Sequence, residues 1–221
     1  MSRRPAHARR VAALTLALAT IGLGGCALGE RPTLADAPTV VGQMTGDAAI
    51  DAVLQRLDSV DAAVFDAEYT ALRNLGAMTS SVRIAQTAAT RSSVTIDNVR
   101  FLVDGATTET CDIDTGACTP GLDPQKISST GLQTPDVVLA GLAKRLRLDA
   151  TADVGPATAS TETIAGLVAT CVDVPLARGT VRYCVLDNGV AAKYAGGDFV
   201  LDLVAYSETP DESLFTQTRA G

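Results

Sequence analysis

The feature that most constrains the fold is a series of short segments in which apolar and polar residues alternate. In one of them, Val82 and Ile84 alternate with Ser81 and Arg83, so successive side chains point to opposite faces. A strand with one apolar and one polar face is typical of an antiparallel sheet that is covered on one side. Strands are predicted on this basis at residues 65–75, 78–87, 90–97, 99–104, 163–174, 180–186, 189–195 and 199–206.

The predicted sheet is preceded by one short helix and interrupted by turns. Residues 47–59 place apolar side chains at spacings of three and four, which indicates an amphipathic helix. Its apolar face consists of Ile50, Val53, Leu54 and Leu57. A small hairpin is predicted over residues 107–119, followed by a turn-rich loop over 121–133. A further tight turn is predicted at 187–189, where Asn188 and Gly189 both accept positive φ.

A second helix is predicted in the middle of the chain, from Thr134 to about Leu148. Thr134 is a suitable cap and Pro135 is favoured at the first helical position. The apolar stripe of this helix consists of Val138, Leu139, Leu142 and Leu146. The other side carries Lys144, Arg145 and Arg147. These cations form either a solvated helix face or a site for an anionic headgroup.

The N-terminal residues indicate export and a lipid anchor. Four arginines within the first ten residues precede an uncharged apolar run, Val11 to Leu23, which is too short for a membrane span and fits a signal peptide. The run ends in Leu23-Gly24-Gly25-Cys26, which resembles the bacterial lipobox. That resemblance implies cleavage before Cys26 and acylation of its thiol, with the mature protein held at the extracytoplasmic face of the cell membrane. Several acyl chains together anchor a protein firmly.

These features divide the chain into three predicted parts. Residues 1–25 are a lipoprotein signal peptide, 26–46 a flexible stalk with Pro32, Pro38, Gly42 and Gly46, and 47–221 a single domain. Removal of the signal peptide takes away four Arg and no acid, and the mature chain carries a net charge of −11. An acidic surface repels phosphate backbones, so nucleic acid is not an expected partner.

Four cysteines remain after Cys26, namely Cys111, Cys118, Cys171 and Cys184. Outside the cytoplasm an even set of this kind is read as two disulfides, and four cysteines allow three pairings. Proximity favours Cys111 with Cys118 and Cys171 with Cys184, because each pair closes a short loop that a hairpin would bring together. The alternative, a redox or metal pair, lacks the usual CxxC spacing.

The residues needed for most catalytic sites are missing from the sequence. Its single histidine, His7, lies in the predicted signal peptide, so the mature chain has no imidazole for a relay or a metal. No phosphate-binding loop, GxSxG or HExxH motif is present. The acidic segment 111–116 departs from the calcium-loop pattern and is read as a hairpin turn. We therefore expect neither enzyme activity nor a metal or other cofactor.

The order of elements resembles a known family. A first helix, a long meander, a central helix and a final meander occur in that order, and the final meander contains Ile164 to Val168, Tyr183 to Val190 and Phe199 to Leu203. This pattern is similar to the LppX/LprG group of actinobacterial lipoproteins, whose fold is similar to that of the carrier LolA. The resemblance implies an α+β fold in which a strongly curved antiparallel sheet, an open half-barrel, packs on one central and one N-terminal helix.

The resemblance also implies that the protein carries a lipid or another hydrophobic molecule. The predicted ligand-binding residues are the inward-facing apolar side chains Val82, Ile84, Val94, Ile96, Ile164, Val168, Leu201 and Leu203 of the sheet and Leu139, Leu142 and Leu146 of the central helix. The alternative is a structural or interaction lipoprotein that displays a solid domain to a partner in the cell envelope. A carrier needs an apolar cavity of roughly 300 Å³ or more, whereas a display domain needs none.

Replacement of Cys26 by Ser is expected to abolish acylation, because the lipobox thiol that receives the lipid is absent. Mass spectrometry of the N-terminal peptide and membrane fractionation check this expectation. The parent protein should carry the mass of the acyl groups and sediment with membranes, whereas the variant should do neither. Unchanged processing and membrane attachment in the variant would contradict the predicted anchor.

Overall fold

A computed structural model describes residues 41–74, 76–88, 91–131 and 141–216 of the chain. Eleven strands within these ranges form one antiparallel sheet. They are β1 Phe65–Arg73, β2 Met78–Ala88, β3 Arg91–Ile96, β4 Val99–Asp104, β5 Thr107–Asp112, β6 Cys118–Pro120, β7 Thr158–Ile164, β8 Leu167–Leu176, β9 Gly179–Val185, β10 Ala191–Ala195 and β11 Phe199–Ser207.

The strand order is β6-β5-β4-β3-β2-β1-β11-β10-β9-β8-β7. The chain thus runs outward from β1 to one edge of the sheet and, after the helical segment, inward from the other edge to β11. The pairing of β1 with β11 joins the two meanders. The curved sheet does not close on itself, since β6 and β7 form its two ends. The predicted α+β fold, an open antiparallel half-barrel, is confirmed.

Three α-helices and two 3₁₀ turns lie within the described ranges. They are α1 Ala48–Leu57, a 3₁₀ turn Val60–Ala62, α2 Pro124–Ser129, α3 Gly141–Thr151 and a second 3₁₀ turn Glu212–Phe215. The Asp47 side chain caps α1 by accepting hydrogen bonds from the backbone N–H groups of Ala49 and Ile50. None of these helices has the length and apolar character that a membrane span requires.

The hydrophobic core lies between the two helices α1 and α3 and one face of the sheet, which we call the inner face. α1 buries the four apolar residues that its spacing predicts, and the predicted helix is confirmed. The inner face carries, among others, Phe65, Tyr69, Val82 and Ile84, all of which are buried. Burial of apolar area at this scale is the main favourable contribution to folding, at roughly 25 cal/mol per Å².

Two predicted elements differ from the structure. Residues 163–174 do not form a single strand, because β7 ends at Ile164 and Ala165-Gly166 turns the chain back into β8. Ala165 and Gly166 have φ values of 51° and 80°, the positive values of a two-residue hairpin turn. Ala rarely adopts positive φ, so of these two residues only Gly166 indicates a turn in the sequence. The predicted start of the central helix at Thr134 lies outside the described residues, and the helix ends at Thr151 rather than Leu148.

The predicted loop over residues 121–133 contains the short helix α2. Asp123 caps it by accepting hydrogen bonds from the N–H groups of Gln125 and Lys126, and Pro124 follows at the first helical position. The Asp123-Pro124 pair therefore marks the start of a helix. That helix was not predicted from the sequence, because turn-forming residues surround the pair. The Lys126 ammonium forms an ion pair with Asp112 of β5, which ties α2 to the sheet.

Both predicted disulfides are present with the predicted pairing. Cys111 of β5 is bonded to Cys118 of β6, and Cys171 of β8 is bonded to Cys184 of β9. Each pair occupies directly opposite positions on neighbouring strands, and the two Cα atoms lie 4.0 Å apart in both. One disulfide therefore fastens the β6 end of the sheet, and the other fastens the second strand pair from the β7 end.

Replacing Cys171 and Cys184 together by Ser is expected to lower the free energy of unfolding by about 3 kcal/mol, since the disulfide closes a loop of about fourteen residues. The same change at Cys111 and Cys118 should cost about 2.5 kcal/mol, because that loop is shorter. Chemical denaturation monitored by circular dichroism measures both values. Equal stability of the parent and the double variants would contradict the expectation.

Candidate functional site

Most of the residues predicted to bind a ligand lie in one continuous buried cluster. The members of this cluster are Val82, Ile84, Val94, Ile96, Leu142, Leu146, Leu201 and Leu203. Each is at most 5% exposed, so the side chains are in contact with protein rather than with solvent. Leu139 lies outside the described residues, as does the predicted acylation site Cys26.

The remaining two residues of that set, Ile164 and Val168, do not lie side by side on the inner face as predicted. Ile164 pairs with Leu167 across the hairpin turn, and Val168 pairs with Thr163 on the opposite face of the hairpin. Ile164 is partly buried against the core, whereas Val168 is 67% exposed. The prediction is wrong because it treated two strands as one and so assigned both residues the same face.

The β9, β10 and β11 part of the inner face holds α3 by polar contacts. The Tyr183 hydroxyl donates a hydrogen bond of 2.5 Å to Asp149 of α3. Burial, with Asp149 beside it, raises the pKa of Tyr183 far above its usual value, so the hydroxyl keeps its proton. The sequence offers no signal for this pair, because 34 residues separate the two partners.

Arg145 of α3 reaches the same strands and completes this contact. Its guanidinium donates a hydrogen bond of 2.7 Å to Asp198 and lies 5.0 Å from the centre of the Phe199 ring. Burial alone would raise the pKa of Asp198, but the hydrogen bond and charge of Arg145, together with the hydrogen bond from Tyr194, outweigh it and the pKa is lowered. Burial together with the nearby Asp198 raises the pKa of Tyr194 to about 12. These groups hold α3 on the sheet.

Arg147 joins α3 to α1 and to the chain that precedes α1. It is 1% exposed and forms an ion pair with Asp58, which follows α1. Its Nε donates a hydrogen bond of 2.9 Å to the carbonyl oxygen of Gln43, and the N–H of Gly42 donates one of 2.9 Å to Asp58. Neither prediction for this residue, a solvated face or a headgroup site, agrees with that burial. The helical pattern gave no sign that the end of α1 covers Arg147.

The residues before α1 are fixed by a second set of hydrogen bonds. Asp51 of α1 accepts from the N–H of Thr45 at 2.7 Å, from the hydroxyl of Thr45 at 2.8 Å and from the N–H of Gly46 at 3.0 Å. Burial opposes ionisation of Asp51, but these hydrogen bonds outweigh it and lower its pKa. The described end of the predicted stalk, residues 42–46, is therefore bound to the domain.

A cavity of about 280 Å³ opens at the end of the sheet where two hairpin turns and the end of β11 meet. Its residues come from the β7–β8 turn, the β9–β10 turn and the end of β11, and they are Leu167, Val168, Leu186, Asp187, Asn188, Tyr206 and Glu208. The Asn188 side chain donates a hydrogen bond of 2.5 Å to the Tyr206 hydroxyl, which fixes two of the walls. We call this the end cavity.

The β9–β10 turn is held in place by α1. Gly189 has a φ of 90°, and a Cβ atom there would collide with the carbonyl oxygen of Arg56. The Arg56 guanidinium also forms an ion pair of 3.3 Å with Asp187. Glycine at this position thus permits both the positive φ and the close approach to α1, and the turn presents Asp187 and Asn188 to the end cavity.

Two other cavities differ from the end cavity in lining or shape. One of about 190 Å³ lies between α1 and α3 and is lined by Leu57, Val60 and Ala143 together with the paired Asp58 and Arg147. A shallow depression of about 670 Å³ beside β5 and β6 is lined mainly by small and polar residues such as Thr107, Thr108 and Glu109. The end cavity combines an apolar wall with polar groups at one side, as small-molecule sites do.

Two groups of side chains in the described ranges have the residue types of a metal site. They are Glu109 with Cys111 and Cys118, and Glu162 with Cys171 and Cys184. In both groups the sulfur atoms are joined in a disulfide and cannot act as thiolate ligands. Neither group is therefore a candidate metal centre while the disulfides are intact.

No protein-family model matches the sequence, and no curated protein matches it. Solved structures with a similar fold include MucB of Pseudomonas aeruginosa with MucA, with a TM-score of 0.44 and 16% identity over 78% of this chain and 61% of that one. Lipoprotein LppX of Mycobacterium tuberculosis gives a TM-score of 0.37 and 15% identity over 73% of this chain and 94% of LppX.

A LolA-superfamily protein of Nitrosomonas europaea gives 0.32 and 11% identity, over 75% of this chain and 96% of that one. The chain spans about three-fifths of the MucB chain that it matches. At these identities and scores the comparisons assign no family, activity, ligand or partner to this protein.

Sequence reasoning missed most of the end cavity. Val168 was in the predicted set, but Leu167, Leu186 and Tyr206 were not. These residues come from two hairpin turns and one strand end, which meet only when β8, β9 and β11 are in register. The one available signal was the Asn188-Gly189 turn, which predicts a hairpin but not what that hairpin approaches.

Replacing Arg147 by Ala is expected to lower the free energy of unfolding by about 3–5 kcal/mol, because Asp58 would be left with no cation in a largely buried position. A matched control is Arg56→Ala, which removes the exposed pair with Asp187 and should cost at most about 1 kcal/mol. Chemical denaturation of both variants gives the comparison. Similar losses in the two variants would contradict the assignment of Arg147 as the buried link between α1 and α3.

Proposed function

We propose that this protein is a lipid-anchored extracytoplasmic protein that binds a lipid or another hydrophobic molecule, and that the apolar part of the ligand enters the end cavity. The observation that carries the proposal is the exposed apolar wall of that cavity. Val168 is 67% exposed although it lies in a concave site beside Leu167 and Leu186. Covering such a surface with an apolar group removes it from water and is favourable.

The polar side of the end cavity limits the class of ligand. Asp187 and Glu208 are acidic, and Asn188 is already engaged with Tyr206. Arg56 pairs with Asp187, and no ion pair of Glu208 is found within the described residues. Carboxylates disfavour a second negative charge in the same site. The ligand that fits is a hydrophobic group of modest size with a neutral or cationic polar end.

The anchor and the location belong to the same proposal. Arg3 to Arg10, the apolar run and the lipobox-like Leu23 to Cys26 support acylation of Cys26 at the extracytoplasmic face of the cell membrane. The two disulfides fit that compartment, because disulfides persist outside the cytoplasm. The likeness to the LppX/LprG group, drawn from the order of elements, is consistent with it. A tethered binding protein of this kind acts on ligands in or near its own membrane.

A second function, an interaction domain without a small ligand, is favoured by the packing of the inner face. The described residues there form a continuous buried cluster against α1 and α3. A domain filled in this way suits presentation of its surface to a partner in the cell envelope. The two functions predict different results when the end cavity is blocked.

Replacing Val168 by Trp is expected to fill the end cavity and weaken binding of a neutral fluorescent monoacylglycerol analogue by about tenfold or more, which corresponds to about 1.4 kcal/mol. Val154→Trp is the matched control, because Val154 is 65% exposed and lies beside the opposite end of β8. Surface substitutions of this kind should change the free energy of unfolding by at most about 0.5 kcal/mol. Fluorescence titration and thermal unfolding of both variants are the measurements.

The parent protein should also bind the neutral probe more tightly than a fluorescent fatty acid, whose carboxylate meets Asp187 and Glu208. If both Trp variants bind the neutral probe as the parent does, the assignment of the end cavity is wrong. If the parent binds neither probe, and native mass spectrometry of the protein from its own membrane finds no lipid, the interaction domain is the better function.

A further inference from the structure

The two ends of the open sheet differ in how they are protected against pairing with another strand. β6 has three residues, ends in Pro120 and is bonded to β5 through Cys118. β7 has seven residues, Thr158–Ile164, and contains no Pro, Lys or bulge. Natural proteins blunt exposed edge strands with such features, because a bare edge is a template for another strand. The β7 edge is thus the exposed end of the sheet.

The register identifies the free backbone groups on β7. The Ala165-Gly166 turn is a two-residue loop, and the pair that closes such a loop, Ile164 with Leu167, is hydrogen-bonded. Hydrogen-bonded pairs alternate along an antiparallel ladder, so Glu162, Ser160 and Thr158 also bond to β8. The N–H and C=O groups of Thr163, Thr161 and Ala159 therefore point away from the sheet.

The disulfide in β8 gives the same result independently. The Cα atoms of Cys171 and Cys184 are 4.0 Å apart, which is the spacing of a pair that is not hydrogen-bonded. The backbone of Cys171 therefore faces β7 and bonds to its partner there, Ser160. Within the described residues, no hydrogen bond is made by the outward backbone groups of Ala159, Thr161 and Thr163.

We propose that β7 pairs with β7 of a second copy of this chain, antiparallel and centred on Thr161. In this register Thr161 lies opposite Thr161 of the second copy, and Ala159 lies opposite Thr163 in both directions. All three outward N–H groups and all three outward C=O groups are then satisfied. The eleven-stranded sheet continues into that of the second copy through the shared two-fold axis.

The charges along β7 favour this register over its neighbours. Glu162 is the only charged residue in the strand, and centring on Thr161 places it opposite Ser160. A shift by one position toward Glu162 would set the two Glu162 side chains directly opposite each other, which is unfavourable. A shift toward Ser160 would carry Thr163 beyond the start of the opposing strand, leaving its backbone groups without a strand residue to pair with.

A second copy suits the edge better than a charged partner strand. Ala159, Thr161 and Thr163, which present the free groups, are small and uncharged, and Glu162 is already paired with Arg182 at 3.1 Å. Thr residues favour strands, and opposite Thr pairs stabilise a sheet. Pairing of two β7 strands therefore brings no unpaired charged side chains together, although the chain as a whole has a net negative charge.

The test is cross-linking of the full chain in mild detergent. Thr161→Cys should form an intermolecular disulfide under mild oxidation, because the Cα atoms of a hydrogen-bonded pair are about 5.5 Å apart, within reach of a disulfide. Thr158→Cys is the matched control, since Thr158 is exposed on the same strand but would lie roughly 20 Å from its counterpart in this register. Peptide mapping should show both native disulfides unchanged in each variant.

Two further variants separate pairing from folding. Thr161→Pro removes the outward N–H while sparing the ladder with β8, so the native mass should fall from dimer to monomer with thermal unfolding little changed. Thr161→Val keeps the backbone groups and should remain a dimer. A parent that is monomeric at all accessible concentrations, or equal cross-linking at 158 and 161, would overturn the proposal. Cross-linking of Thr161→Cys only to a different protein would assign the edge to a partner strand instead.

Discussion

The pairing of β1 with β11 is the contact on which the rest of the structure depends. Every other neighbouring pair in the sheet is adjacent in sequence, whereas this one joins residues 65–73 to residues 199–207. It places Tyr69 beside Leu203 and Ala71 beside Leu201, so the apolar rows of the two meanders become one inner face. Residues so far apart in sequence pair late in folding, because closing the long loop between them costs conformational entropy before the contact adds stability. The core under α1 and α3 therefore needs both meanders at once.

Ion pairs on the outer face reinforce the strand register within each meander. Arg83 of β2 binds Asp66 of β1 through two hydrogen bonds of 2.9 and 2.7 Å, and Arg182 of β9 binds Asp173 of β8 through two of 2.8 and 2.9 Å. The hydrogen bonds that Arg83 donates to the Asp66 carboxylate raise the pKa of Arg83. A slip of one residue would exchange the two faces and separate both pairs. Ion pairs thus stabilise the outer face of the sheet, and apolar packing stabilises the inner face.

The fold could be predicted from the sequence where a local pattern decides the structure. Alternation predicted most strands, spacings of three and four predicted the first helix, and short separations predicted the cysteine pairs, because each depends on residues that are close in sequence. The Ala165-Gly166 turn was missed because Ala seldom adopts positive φ. Arg147 was expected in solvent because a helical pattern separates apolar from polar sides but does not show that α1 packs on the polar one. The end cavity was missed for a related reason, since it exists only where two separate turns and the end of β11 meet.

The inner face is filled by side chains of the domain itself, so the surfaces left for recognition are the end cavity and the free edge of β7. The β7–β8 hairpin contributes to both candidates, with Val168 in the end cavity and Thr161 on the free edge. Val168 pairs directly with Thr163, whose backbone groups point outward. A strand added to β7 lies two strand positions from β8, roughly 10 Å away, and contacts the hairpin from its edge rather than from its turn. Ligand and second copy can therefore occupy the hairpin together, and each would limit the movement of the same short turn.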